Sequence, residues 1–391
     1  MATCGQGRAD GVGDPTALAR RAAARAVAEL DGRRPDLACV FVAGSAAGDD
    51  PDVAEAALAA ASAALGAATT LGCTAGAVHG APRVAGEGLA VAVWAATLPG
   101  ARLRAFHLEA LATGSSLAVV GTPVLDGRHV GLLLADPWTF PAGGFVDRSA
   151  ADLPGLSLVG GLAHGTRPGA ARLLLDRRVL GRGAVGVLLD GPVAAHPLLA
   201  PATRPIGAAM TVTAAQGRLL VELAGRPAAR ALAQAVVDAS PRDQALAASG
   251  VLLGVAADEH ADGDDPADWV ARGPLVPTGR ALAAEVGVDV GSAVRFLVAD
   301  PTAGDAALLA RLVRHRGGQA PAAGALLFTP VSDGTDAATA RAAASVRHGL
   351  ATDAVAGFAG PGAIGPVAGR NRVHGGGSSV LAVHDGAGVS W

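Results

Sequence analysis

Cys73 and His79 stand six positions apart in an apolar, β-branched run, Ala68-Thr-Thr-Leu-Gly-Cys-Thr-Ala-Gly-Ala-Val-His-Gly80. An imidazole near a thiol lowers its pKa and makes it a nucleophile. No third group that would orient the base is evident, so a pocket-lining or packed thiol is the better reading. Asp136, directly before Pro137, suits two jobs equally: hydrogen-bonding a ligand amine, or capping the segment that follows. Arg204, beside Pro205, can clamp a carboxylate with its guanidinium fork or form an ordinary ion pair. Glycines close three apolar runs, at Gly72 and Gly76, at Gly160 and Gly161, and at Gly357 and Gly360. A glycine at a strand end lets a ligand approach backbone N–H groups; the alternative is that these glycines only make turns and strand–helix contacts.

Other chemistries find less support. No GxGxxG opens a helix straight after a strand and no P-loop signature occurs, which argues against a phosphate cradle. Ten His show no HxH or HExxH spacing, and Cys4, Cys39 and Cys73 form no CxxC, so neither a metal centre nor a disulfide framework is expected. The expectation is no cofactor, no catalytic residue, and a small-ligand site at Gly72, Cys73, Thr74, Gly76, Asp136, Gly160, Gly161 and Arg204. The alternative is an enzyme using Cys73 or Asp136 in the same glycine-lined cleft.

These residues need elements to position them. Each glycine run follows an earlier apolar run by roughly 30 residues, the length of a β-α-β unit. Leu37–Ala43 reads as a buried strand, Asp52 opens an Ala-rich helix that Gly66 ends, and the Cys73 run is the parallel partner strand. Val130–Ala135, a short helix near Phe145–Ala151 and Leu156–Val159 make the second unit. Ala325–Phe328, a helix over Asp336–Arg347 and Ala354–Phe358 make the third, with Ser378–His384 closing the sheet. Hairpins are expected between Leu89–Ala95 and Arg102–Leu108, and between Ala171–Asp176 and Ala184–Asp190. Residues 1–14 read as loose, followed by a helix capped by Asp14 over Pro15–Leu30. Beyond residue 200 come a hairpin of Thr211–Thr213 with Leu219–Leu223, a helix over Pro227–Ala239, further strands, an acidic loop over 257–267, and a helix over Pro301–Arg316 capped by Asp300.

The 391 residues exceed one ordinary core. Pro192, Pro197, Pro201 and Pro205 mark a crossing near residue 200. The expected class is α/β, mixed α+β: repeated β-α-β-hairpin units forming two sheet-based domains with Ala-rich covering helices. The divisions are 1–34 (extension and helix), 35–200 and 201–391. With 51% hydrophobic but only 3% aromatic residues, the cores must be filled by Val, Leu and Ala, in keeping with a high-GC genome. A net charge of −3 without a basic stripe argues against nucleic-acid binding. The absence of a leader-like start and of any apolar run of about 20 residues points to a soluble, cytoplasmic protein with no membrane partner.

The ordered motifs carry a resemblance. They are Leu71-Gly-Cys-Thr-Ala-Gly76, Ala135-Asp-Pro137, Leu158-Val-Gly-Gly-Leu-Ala163, Arg204-Pro-Ile-Gly207 with Val212-Thr213, Glu222-Leu-Ala-Gly-Arg-Pro-Ala228, and Val355-Ala-Gly-Phe358 with Ile364-Gly-Pro366. Together they resemble the FIST family (F-box and intracellular signal transduction proteins), N-terminal then C-terminal domain, over roughly residues 35 to 385. The resemblance implies a sensory module that binds a small molecule such as an amino acid and carries no established enzyme activity. It also implies signalling through a separate partner, since the chain shows no output segment. Three departures stand out. Ala202-Thr203 replaces a Gly-Cys before Arg204; Phe328-Thr329-Pro330 leads into a turn without the Cys and Arg of relatives; Ala363 stands where a Glu is expected. The implied ligand is less polar, or that role is lost.

Overall fold

The computed structural model describes all residues except 45–49, 80–87, 115, 257–268, 285–286, 332–334, 368 and 386–391. The expected acidic loop over 257–267 lies outside the described residues. Three sheets follow one plan, and a fourth is inserted into the third copy.

In the first sheet Leu37–Ala43 and Thr69–Ala75 run parallel, joined by the helix Pro51–Leu65. Leu89–Thr97 lies antiparallel to Leu37–Ala43, and Thr3–Gly11 antiparallel beyond it. The second sheet repeats this with His129–Ala135 and Leu156–Leu162 parallel around the helix Ala142–Asp152, then Ala184–Asp190 and Arg102–Thr113. The third has Gly324–Pro330 and Val355–Gly360 parallel around Thr335–Leu350, then Ser378–His384 and Ala194–Ala200. The mixed α+β class and the three β-α-β units are therefore as the sequence suggests.

The short strand after each second parallel strand leaves its own sheet. Ala77–Val78 pairs with Val355–Gly360, Leu173–Leu175 with Thr69–Ala75, and Ala363–Val367 with Leu156–Leu162. Each copy thus lends a strand to another, and the exchange closes in a ring. Matching positions follow from the registers: Gly72 faces Leu174, Gly160 faces Ile364, and Gly357 O accepts from His79 N at 3.0 Å.

The ring encloses one apolar core. Phe41, Cys73 and Trp94 reach it from the first sheet, Leu132, Leu134 and Val159 from the second, and Phe328 and Phe358 from the third. The rings of Phe41, Phe328 and Phe358 stand 5.0–6.1 Å apart between centroids. Helices cover the outer faces: Pro15–Ala28 with Pro51–Leu65, Ala142–Asp152 alone, and Pro301–Arg316 with Thr335–Leu350. Asp14, Asp50 and Asp300 cap three of them, each directly before a proline at the first helical turn. The second of these caps is Asp50, two residues before the expected opening at Asp52.

The fourth sheet, built from strands between Thr203 and Ala299, is antiparallel throughout. It packs the helices Ala228–Val237 and Pro241–Ala247 over its own core of Ile206, Leu253, Phe296 and neighbours. Its strand Thr203–Gln216 pairs with Leu219–Leu223 as expected.

Three local expectations are corrected. Residues 1–14 are not loose: Thr3–Gly11 is an ordered strand whose partner is Leu89–Thr97. Leu89–Thr97 and Arg102–Thr113 do not form a hairpin but belong to the first and second sheets. Likewise Leu173–Leu175 pairs with Arg178–Leu180 in the first sheet, while Ala184–Asp190 lies in the second. In the latter two cases a tight turn carries the chain between sheets rather than back along the same one. Ala194–Ala200 pairs with Ser378–His384 in the third sheet.

Candidate functional site

The three glycine-ending strands converge at their carboxyl ends. Gly76, His164 and Pro361 each lie four residues beyond Gly72, Gly160 and Gly357. Gly76 N donates to Ala359 O at 2.8 Å, and His164 N donates to Thr74 O at 2.9 Å. The third link of this ring would need an N–H at Pro361, which proline lacks. Leu162 N instead donates to Gly362 O at 2.8 Å.

The glycines serve close packing at this junction. Gly160 and Gly357 have φ of 149° and 148°, a backbone region that side chains avoid. A β-carbon on Gly72 would meet Val40 O at 2.4 Å, and one on Gly161 would meet the Phe358 ring at 2.9 Å. A β-carbon on Gly76 would stand 2.5 Å from Val331 Cγ2.

Cys73 faces the central core with no exposure. Burial, with Cys39 close by, pushes its thiol well above the ordinary range. It is held as a thiol, not a thiolate, and presents no nucleophile. Thr74 Oγ1 donates to His164 O at 2.7 Å and accepts from Arg172 N at 3.1 Å, so its hydroxyl ties the first copy to the second.

Asp136 is fully buried. Its Oδ1 accepts from Trp138 N at 3.1 Å and its Oδ2 from Thr139 Oγ1 at 2.6 Å. Asp14 and Asp50 accept in the same way from the N–H two residues on. Asp136 therefore acts as a cap, the second of the two jobs its sequence context suits. Arg204 stands apart from the junction, in the fourth sheet. Its Nε lies 3.1 Å from Asp243 Oδ1, and its Nη1 lies 3.9 Å from Asp300 Oδ2.

Thr74, Gly76, Gly161 and the segment after Asp136 thus come together, whereas Arg204 does not. Two residues at this junction carry no motif in the sequence. His164 is half-buried beside Gly76, and Trp138 is 54% exposed with Nε1 donating to Gly165 O at 3.3 Å. The signal that finds His164 is its register, four residues after Gly160 as Gly76 is after Gly72. His79, the imidazole weighed beside Cys73, is wholly buried where the matching positions hold Leu174 and Ile364. Its Nε2 lies 3.4 Å from Thr329 Oγ1, its Nδ1 has no partner, and burial pulls the imidazole down to about 4. Ala363 is buried in the central core between Gly161 and His374.

Elsewhere, His196, His315 and His384 stack with ring centroids 4.9–5.7 Å apart. Among the described residues no group of three or more His, Cys, Asp or Glu is arranged to hold a metal ion. A cavity of about 250 Å³ lies at the opposite end of the strands, lined by Met1, Leu98, Pro192 and His384 among others. It is far from the glycine-ending strand ends that the sequence singles out. No described helix is long and apolar enough to cross a membrane.

Over 382 residues the chain is 38% identical to an uncharacterized protein of Mycobacterium tuberculosis, covering 93% of this chain and 97% of that protein. An uncharacterized protein of Mycobacterium bovis is 36% identical over 373 residues, 93% of this chain and 94% of that one. Residues 36–226 match the family described as FIST N domain, a stretch that holds the first two glycine-ending strands and the exchanged strand joining them. Through residues 36–226 the chain belongs to the FIST N domain family, and over nearly its whole length it shares a family with these mycobacterial proteins.

Proposed function

We propose that this protein is a sensory module that binds a small molecule, an amino acid or related metabolite, at the carboxyl ends of its parallel strands, and signals through a separate protein in the cytoplasm. The observation that carries the reading is the cyclic exchange of strands. It brings Thr74, Gly76, Gly161, His164 and Trp138 from different copies to one junction. Ligands of open parallel sheets bind at the carboxyl ends of strands, where loops diverge. A half-buried imidazole and an exposed indole there give a ligand one polar and one flat apolar contact. Residues 201–391 are read as the C-terminal FIST-type part, which completes the ring with Val355–Gly360. A junction shared by three copies is suited to reporting occupancy, because a ligand that draws two copies together acts on the strand pairing of the third.

A thiol or carboxylate enzyme at this place finds no support. Cys73 is sealed in the core with a raised pKa, and both Asp136 oxygens already accept hydrogen bonds.

A thermal-shift screen over amino acids and related metabolites tests the reading. A specific ligand at 100 times its Kd stabilises by about 2.7 kcal/mol. That shift is expected to fall in Trp138→Ala and His164→Ala. A flat response across a broad panel, or an unchanged shift in both variants, counts against the junction.

A further inference from the structure

Two arginines and a histidine meet where the second sheet, its helix and the fourth sheet abut. Arg372 and His374 lie on the edge strand Arg370–His374, and Arg272 lies on the strand Trp269–Pro274. Both guanidinium groups converge on Asp147 of the helix Ala142–Asp152. Arg272 Nη1 is 3.1 Å from Oδ2, and Arg372 Nη1 is 3.3 Å from Oδ1. Arg372 Nη1 also donates to Asn371 O at 3.1 Å and Asp147 O at 3.5 Å.

Those contacts leave buried nitrogens unmatched. Among the described residues Arg272 Nε, Arg372 Nε and His374 Nε2 are buried without a hydrogen-bond partner. Among the described residues two fixed positive charges face one carboxylate, and Arg370 adds its charge to the field at Arg372. A buried N–H without an acceptor is costly, and such groups in native proteins point to strain or to an ion or water that completes them. Paired guanidinium groups with free donors are the set that recognises oxyanions. The way in is open on one side, since the side chains of Asp147 and Arg272 remain 33% and 21% exposed.

We propose that Arg272 and Arg372, with His374 beside them, bind a small oxyanion, a carboxylate or phosphate group, at the seam between the second and fourth sheets. The anion accepts from the two free Nε–H groups and balances the charge that Asp147 leaves over among the described residues. His374 Nε2 supplies a further polar contact. Because the seam joins the fourth sheet to the ring of three, an anion there fixes how those parts pack. The site involves none of the residues at the strand-end junction and stands whether or not a ligand binds there.

The test titrates the intact protein with inorganic phosphate, with acetate, and with chloride at matched ionic strength, following thermal unfolding. The expected result is a saturable rise in Tm with phosphate or acetate that chloride does not reproduce; the more effective of the two identifies the anion class. The apparent affinity is expected to weaken tenfold or more in Arg372→Gln and Arg272→Gln. Arg148→Gln, which breaks an exposed pair with Asp152 on the same helix, leaves it unchanged. Asp147→Asn removes the competing carboxylate and is expected to enlarge the anion-dependent rise. A purely structural ion pair predicts lost stability there with no gain in anion response. No saturable rise over chloride, or an equal rise in both arginine variants, overturns the proposal. Should those variants fail to fold, Asp147→Asn decides: a larger anion response supports the site, and an unchanged or smaller one overturns it.

Discussion

Gly160 faces Leu133 across the second parallel pair so closely that a β-carbon on it would stand 1.9 Å from the Leu133 carbonyl oxygen. Gly357 stands to Leu327 in the same way, at 1.8 Å. In both, the backbone turns to positive φ to make the contact. These glycines are where the second parallel strand meets a strand lent by another copy, so their geometry is a condition of the ring.

Gly160→Ala and Gly357→Ala should therefore each lower stability by more than about 3 kcal/mol, since backbone strain and a clash with backbone act together. Gly144→Ala provides the contrast. It lies in the helix Ala142–Asp152 with nothing within 4 Å of the added carbon, and should gain roughly 0.5–1 kcal/mol. Urea unfolding of the three variants checks this; equal effects would contradict the packing role.

Asp136→Ala should destabilise by about 1–3 kcal/mol, because it strands Trp138 N–H and the Thr139 hydroxyl beside a buried gap. Thr139 Oγ1 also accepts from Gly183 N at 2.9 Å, so the loss reaches the start of the strand Ala184–Asp190. A residue kept for a ligand amine would instead leave the unliganded stability unmoved. Unfolding without any ligand separates the two.

The three thiols should be silent in the folded protein. Cys4, Cys39 and Cys73 are all buried and all have thiols raised by burial. A thiol-reactive dye at pH 8 should label them only as fast as the chain unfolds. Fast labelling of Cys73 under native conditions would reopen the nucleophile reading.

Much of this molecule is legible in the sequence because buried parallel strands read as unbroken apolar runs. Leu37–Ala43, His129–Ala135 and Gly324–Pro330 announce themselves that way, as do their glycine-ending partners. The Asp-Pro pairs at 14 and 300 fix helix starts by local hydrogen bonding, which needs no tertiary information; at the second helix the cap is Asp50 rather than the expected Asp52. What the sequence hides is which sheet a short strand joins. Ala77–Val78 is two residues long, and its pairing with Phe358 and Ala359 is decided by packing almost three hundred residues away. The same reason turned two expected hairpins into links between sheets. At the junction, glycines were visible but not their purpose: close approach to backbone looks the same in sequence whether a strand or a ligand comes near. Trp138 and His164 carry no motif; the register between copies points to His164, and nothing in the sequence points to Trp138.

His79 joins this repeat to a pH dependence. His79 and His374 are buried, and burial pulls each imidazole from its ordinary 6.5 to about 4. The folded state therefore holds both neutral, while the unfolded chain takes up protons first as pH falls. The stability they contribute is complete above about pH 6.5 and is lost as pH falls from there toward 4. At 1.36 kcal/mol per unit this amounts to roughly 3 kcal/mol for each at full protonation. Denaturant unfolding at pH 7 and at pH 5 should show the lower pH less stable. The matching positions in the other two copies hold Leu174 and Ile364, so the site has the shape of an aliphatic pocket. His79→Leu should accordingly fold, keep the backbone bond from residue 79 to Gly357 O, and flatten part of the pH slope. A variant that folds but keeps the full slope would show that His79 is not one of the groups that titrate. One that loses stability equally at both pH values would show that its contact with Thr329 matters more than its burial.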